Sequence, residues 1–522
     1  MARPGFVLEV DERTPPLVVP NGLGYRLERF PLGTKVVYPA EGLAPVPDVS
    51  EAIDDALDHP LESEPLSARL RPGMRLRIAF DDISTPVPRM TMPDIRGRII
   101  EAVLRRAAAA GVDDVALVSA RGLHRKMTRA ELEQLLGERV FRSFYADGRL
   151  RDHDAEDADQ LSAPGAGDHL VSTAASEADL LVFVHIAGAT GNGVVAMARG
   201  LGSTSTISRF AAQPDRQPDS DRSDRSVSDL PGGGLATEVE RQLGASVPLF
   251  QIEAVLDNAP SGSPLQFLAK REWEWNVKDQ AAWLAVRRGL ALTSTKARRQ
   301  LVNSVRAGYA PIQITAGAPA AVASASSAKM AAQQVVEVPG QADVAILGVP
   351  HATPYSVDSV TNPILAAWSA LGAAFSAHTG RPVVRAGGAL ILYHPMTEDF
   401  SPLHHPSYVD FFAEVLTSTT EPAQVKEFEL RFASDPWYAH LYRNSFAFHG
   451  VHPFHLWYAM GAARTHCRDI IWVGADRATV GRLGFRAAST LADALEIVSS
   501  TVGRTPSITY LHSAGHLVTD IR

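Results

Sequence analysis

Apolar runs of four to seven residues recur along the chain, each closed by a polar or glycine-rich stretch and followed by a helix-spaced segment. Arg75–Phe80 (RLRIAF), Val115–Ser119 and Leu180–Val184 are the clearest in the first part. Leu180–Val184 is continuously apolar and short, which fits a strand buried on both faces of a parallel sheet. Between the first two runs, Pro93 fits the first turn of a helix, Ile95, Ile99 and Val103 mark its inner face, and Gly111 stops it. Thr128 with Glu131 three residues later is a capping box for a helix ending near Leu136. Strand, polar loop and helix in alternation predict a parallel sheet whose loops converge on one edge. Residues 1–65, rich in proline and acid, predict a short β-containing start and then a surface segment.

A second series begins at Val344–Leu347. Asn362-Pro363 starts a helix filled by Ala366–Phe375, Gly387-Gly388 precedes a strand at Ala389–Tyr393, and further strands follow at Ile470–Val473 and Ile508–Leu511. The alanine- and serine-rich stretch Gly317–Ala332 marks the divide. The pattern therefore predicts two α/β domains, 1–310 and 311–522, with mostly parallel sheets and a cleft between them. Residues 211–234 (AAQPDRQPDSDRSDRSVSDLPGGG) lack the apolar content to offset ordering entropy, which predicts a disordered insertion.

A length of 522 residues supports more than one core, and 45% hydrophobic with 21% charged residues is globular composition. A net charge of −8 argues against a nucleic-acid surface. No apolar run approaches a membrane span and no apolar leader opens the chain, so the expectation is a cytoplasmic protein with a small-molecule partner and no membrane. The one cysteine, Cys467, excludes an intrachain disulfide and a thiolate-rich metal site.

Chemistry gathers in the loops after the first three strands: Asp81 and Asp82, then His124 and Arg125, then His185. His185 is followed by Gly188, Gly191, Gly193, Gly200 and Gly202, with Arg199 as the one cation of that stretch. Glycine lets backbone N–H groups approach an anion, so the loop suits a phosphate or nucleotide. The alternative is a plain connection with His185 as a hydrogen-bonded core residue. Histidines also crowd the second part: His394, His404, His405, His449, His452, His455 and His466. Pro453 opens a helix with His452 at its N-cap, and His455 and His466, eleven residues apart, would share a face.

The DD-x-[ST]-x-P element at Asp81–Pro86, the G-x-HR-x-MT element at Gly122–Thr128 and the H-x-AG-x-[ST]-G-x-G loop at His185–Gly193 together resemble the lactate racemase family. Asp152-His153-Asp154 with Asp157 resembles a further stretch of the same region. The resemblance implies an isomerase, a racemase or epimerase of 2-hydroxy acids, with a nickel-pincer nucleotide between two α/β domains. It places the two catalytic histidines at His124 and His185, and the cofactor at Asp81, Asp82, Gly188, Gly191, Gly193 and Arg199. Arg89 and Arg125 would meet the substrate. The family's cofactor-linking lysine is absent near Val194 and Val195, and Arg209 and Phe210 stand where its nickel histidine is expected. Thr85 replaces its carboxylate-binding arginine, and its second-domain Gln and Lys are replaced around Thr361–Ile364. The resemblance then implies a noncovalently held cofactor, with His449, His452 and His455 as the nickel-ligand candidates. A two-histidine enzyme without the pincer and a non-catalytic binder of a nucleotide or hydroxy acid are the alternatives.

Overall fold

The computed structural model describes residues 6–164, 167–188, 193–212, 233–258 and 265–522. Residues 213–232, most of the expected insertion, and Gly191 of the glycine-rich loop lie outside the described residues. The ends of that insertion are helical: Ala211 and Ala212 close the helix Thr204–Ala212, and Gly233 and Gly234 open Gly233–Gly244.

A six-stranded sheet runs in the order 311–317, 249–256, 180–186, 75–81, 114–120, 150–152. All neighbours are parallel except Pro311–Gly317, which pairs antiparallel with Leu249–Leu256. Every residue of Leu180–Ile186 is buried, as the unbroken apolar run requires of a strand covered on both faces. The helix Ile95–Ala109 lays Ile95, Ile99 and Val103 on that sheet, and Gly111 ends it at φ +71°. Pro93 lies before this helix and Asp94 is its N-cap, because the Asp94 carboxylate accepts the Arg96 N–H. The Thr128–Glu131 capping box forms and opens Arg129–Leu136.

The second sheet has seven strands in the order 7–9, 35–37, 508–511, 342–348, 384–393, 469–473, 486–488. It is parallel except where Val7–Glu9 meets Lys35–Val37. The two sheets do not divide at residue 310. Strand 311–317 belongs to the first sheet and strands 7–9 and 35–37 to the second, while the alanine-rich stretch forms the helix Pro319–Gln334 between them. Gly387 and Gly388 lie inside Val384–Tyr393 rather than before it. The helix after Asn362 is regular only over Pro363–Trp368 and widens to π-turns over Ser369–Ala374.

The halves are latched where the strand-end loops of the first sheet meet residues 442–449. Tyr442 Oη donates to the Gly122 carbonyl at 2.6 Å and accepts the Ala155 N–H at 3.1 Å. The His449 N–H reaches the Leu123 carbonyl at 3.0 Å, and Arg443 bridges Asp154 and Asp157 at 2.9 and 3.0 Å.

Candidate active site

Strands 180–186, 75–81 and 114–120 lie side by side and parallel, so their C-terminal ends deliver His185, Asp81-Asp82 and His124 to one sheet edge. This is where ligands bind in open parallel sheets. The central strand supplies two consecutive carboxylates, and each takes one histidine. His185 Nδ1–H donates to Asp81 Oδ2 at 3.1 Å, and His124 Nδ1–H donates to Asp82 Oδ2 at 2.8 Å. Each bond fixes a ring and leaves Nε2 as the working nitrogen.

Arg96 holds this pair of carboxylates from behind. Its Nη1 lies 3.3 Å from Asp81 Oδ1 and also reaches the Asp82 carbonyl, while Nε and Nη2 grip Asp94 at 3.0 and 2.9 Å. Burial alone would raise Asp81, but Arg96 and His185 outweigh it and hold the carboxyl below its ordinary value. Burial likewise opposes ionisation of Asp82, yet His124 and Ser84 bring it down to about 2. Desolvation pushes His185 downward, and the bond to Asp81 reverses this, so its imidazole holds a proton more firmly than a free one.

The two histidines differ in access. The His124 side chain is 27% exposed and abuts residues of the second half, with Tyr355 at 4.8 Å and His452 at 5.4 Å between ring centroids. The His185 side chain is only 8% exposed, and its Nε2 is buried without a hydrogen-bond partner. One sheet edge thus carries both imidazoles, but only His124 borders the space between the halves.

Other expected contacts fall differently. Asp81 and Asp82 are committed to the histidines rather than presented to a cofactor. The Gly193 N–H, at the start of the helix Gly193–Leu201, donates to Glu253 Oε1 at 2.8 Å, so a carboxylate already sits at the helix end read as a phosphate cradle. A Cβ on Gly193 would lie 2.4 Å from that oxygen, and one on Gly200 would lie 2.6 Å from the Ala120 carbonyl. Those two glycines serve close packing, and among the described residues nothing lies within 4 Å of a Cβ built on Gly188. Arg199 is not in the loop; it is exposed in the last turn of that helix, its guanidinium 5.1 Å from the Phe210 ring. Arg89 pairs with Asp358 at 2.8 Å, and Arg125 forms a buried two-bond pair with Glu131 at 3.0 and 2.7 Å.

The C-terminal histidines turn to separate partners. His452 is the first residue of the helix His452–Ala459, not its cap, and its Nδ1 meets Tyr408 Oη at 2.5 Å. His449 faces Glu156 at 3.0 Å, and His455 faces Glu429 at 3.4 Å. The helix breaks at Met460, which separates His466 from His455 and turns it to the Val384 carbonyl. Among the described residues no group of three or more His, Cys, Asp or Glu side chains is arranged to hold a metal. Sequence reasoning missed Arg96, Glu253, Tyr355 and Tyr442. Only Arg96 left a trace, a cation set among the buried positions of an otherwise apolar helix face.

The sequence profile of the lactate racemase N-terminal domain matches residues 24–211. Among solved structures, the lactate racemase apoprotein from Thermoanaerobacterium thermosaccharolyticum superimposes with a TM-score of 0.61 at 15% identity, covering 97% of this chain and 99% of that one. A crystal structure of a Thermotoga maritima protein aligns at 12% identity and a TM-score of 0.49, over 91% of this chain and 97% of its own. No curated protein matches.

Proposed function

From the premise that this chain belongs to the lactate racemase family through its N-terminal domain, we propose that it is an isomerase of a 2-hydroxy acid worked by two histidine–aspartate pairs. One observation carries this reading: consecutive aspartates on the central strand each orient one imidazole at the same sheet edge. Inversion at a carbon needs a group to take a proton on one side and another to return it on the other. His124 Nε2, held by Asp82, is the base that meets substrate entering between the halves. His185, whose hold on a proton Asp81 strengthens, is the complementary acid.

The residues do not fit the nickel-pincer nucleotide of the resemblance. Val194 and Val195 are buried hydrocarbon in a helix, Arg209 is paired with Asp168 at 2.9 Å, and Glu253 occupies the helix start where a phosphate would sit. The proposed chemistry is therefore proton transfer at C2, from the substrate to one imidazole and from the other imidazole to the opposite face. A second reading, a binding protein for the same acid, is favoured by the enclosure of His185 Nε2.

The test is incubation of each enantiomer of lactate and of larger 2-hydroxy acids in D2O, followed by chiral chromatography and mass spectrometry. The expected product is inverted and carries deuterium at C2, with the rate falling roughly 10²–10⁴-fold in His124→Ala and in His185→Ala. Inversion without deuterium would reject proton exchange at carbon, and tight binding without inversion would favour the second reading.

A further inference from the structure

Away from this site, the consecutive helices Val277–Leu292 and Thr295–Ser304 both carry exposed aliphatic and basic side chains. At 3.6 residues per turn, Val277, Ala281, Leu284, Arg288 and Leu292 fall on one side of the first helix, and all are exposed. Val277 is 81% and Leu292 87% exposed, with Leu284 at 50% and Leu301, in the second helix, at 52%. The opposite side carries Asp279, tied to Lys270 at 2.8 Å, and Trp283, which packs on Tyr25 and Trp275. The helix is thus apolar on two sides, and the protein's own core uses only one.

Charge identifies what the other side fits. Residues 277–304 contain six cations (Lys278, Arg287, Arg288, Lys296, Arg298 and Arg299) and one acid, the inward Asp279, in a chain of net charge −8. Lys278, Arg287 and Arg288 are exposed on the same helix as the protruding aliphatic side chains, and Lys296 is exposed on the next helix. A two-fold contact between copies through this face would set these cations against their own equivalents, which disfavours it. Protruding aliphatic groups accompanied by long basic side chains match a layer of anionic headgroups over acyl chains.

We propose that the outward side of the helix Val277–Leu292 is a peripheral docking face for an anionic lipid surface. The aliphatic row enters the headgroup boundary and the exposed Lys278, Arg287 and Arg288 pair with lipid phosphates. The contact is interfacial: no helix among the described residues is long and apolar enough to cross a membrane. It places the protein on a membrane, where the sequence alone pointed to none.

Sedimentation of the full chain with vesicles tests this. Binding is expected to mixed phosphatidylcholine–phosphatidylglycerol vesicles and not to phosphatidylcholine alone, and to weaken with salt. Lys278→Gln/Arg287→Gln/Arg288→Gln should weaken it roughly a hundredfold, at about fivefold per cation. Leu284→Ser/Leu292→Ser should weaken it at least about tenfold through lost apolar burial. These side chains point outward, so both variants should keep the parent melting temperature. If either fails to fold, the other decides. Absence of binding to anionic vesicles, equal binding to neutral ones, or unchanged binding in the variants would overturn the proposal. So would an oligomer in solution that Leu292→Ser dissolves, since that would assign the face to a protein.

Discussion

Histidines stand at or beyond the strand ends of both sheets, and the fold treats two groups of them in opposite ways. His512, which meets Glu272 at 3.1 Å, and His153, bonded to the Gly202 carbonyl, are exceptions within their own sheets. At the edge of the first sheet, His124 and His185 each receive a carboxylate, and Arg96 balances the added negative charge. At the edge of the second, His351, His394, His404 and His405 are buried with hydroxyl, amide and backbone partners. Burial brings His351 and His404 down to about 4 and His394 to about 3, and depresses His405 as well. A histidine count therefore says nothing about chemistry. An imidazole with a carboxylate behind it is poised to exchange protons, whereas one desolvated without a carboxylate is held neutral as a polar packing group.

The comparison breaks most readily at Arg96. Arg96→Met would leave the buried Asp81 and the half-buried Asp94 without their cation, at a cost of about 3–5 kcal/mol in chemical denaturation. A loss below about 1 kcal/mol would mean that the charges at this edge are not balanced as described. Next in size is Asp81→Asn, which should cost about 1.5–3 kcal/mol by replacing a charge-assisted bond. It should also lower the His185 titration followed by NMR, because the Asp81 bond no longer offsets desolvation; an unmoved titration would remove Asp81 from its role.

Acid should loosen the two groups of side chains in separate windows. The unfolded chain binds protons on histidine near pH 6.5, but His351, His394 and His404 resist protonation until about pH 3–4. Stability from the second edge is thus present above pH 6.5 and lost as pH falls from there toward 4. Asp82 ionises near 2 against 3.8 when free, so its contribution is present above 3.8 and is lost as pH falls through 2. His185 has the opposite sign: its raised value adds stability that is full below 6.5 and lost as pH rises through its folded value. Hydrogen exchange followed across this range should show strands 342–348 and 384–393 opening before strands 75–81 and 180–186. Simultaneous opening would erase the distinction.

The smallest expected effect is at the latch between the halves. Tyr442→Phe removes the hydroxyl shared by Gly122 and Ala155 and should cost about 1 kcal/mol. A much larger loss would make the second half a structural requirement of the first.

Local signals were legible wherever one stretch of chain decides its own structure. The unbroken run Leu180–Val184, the Thr128–Glu131 box and the Asn362-Pro363 start all act within a few residues, and each forms the predicted element. The pairing of aspartates with histidines was not legible. Asp81 lies 104 residues from His185, and Asp82 lies 42 from His124. The glycines misled for a related reason. Glycine marks close backbone approach, but whether the approaching group is a phosphate or, as at Gly193, a carboxylate of a neighbouring strand is not encoded locally.

By itself the sequence determined the alternation of strands and helices, hence the parallel sheets, and which side of those sheets would carry the polar loops. Hydrophobic periodicity and capping are short-range, and the handedness of the crossovers leaves little choice of edge. Only the tertiary structure decided which charges cancel. It gave Arg96 to the twin aspartates, Glu131 to Arg125 and Asp358 to Arg89, and it closed His185 away while leaving His124 at the boundary between the halves. Electrostatic pairing depends on distance in space and on the water excluded around it, and neither is fixed until the chain has folded.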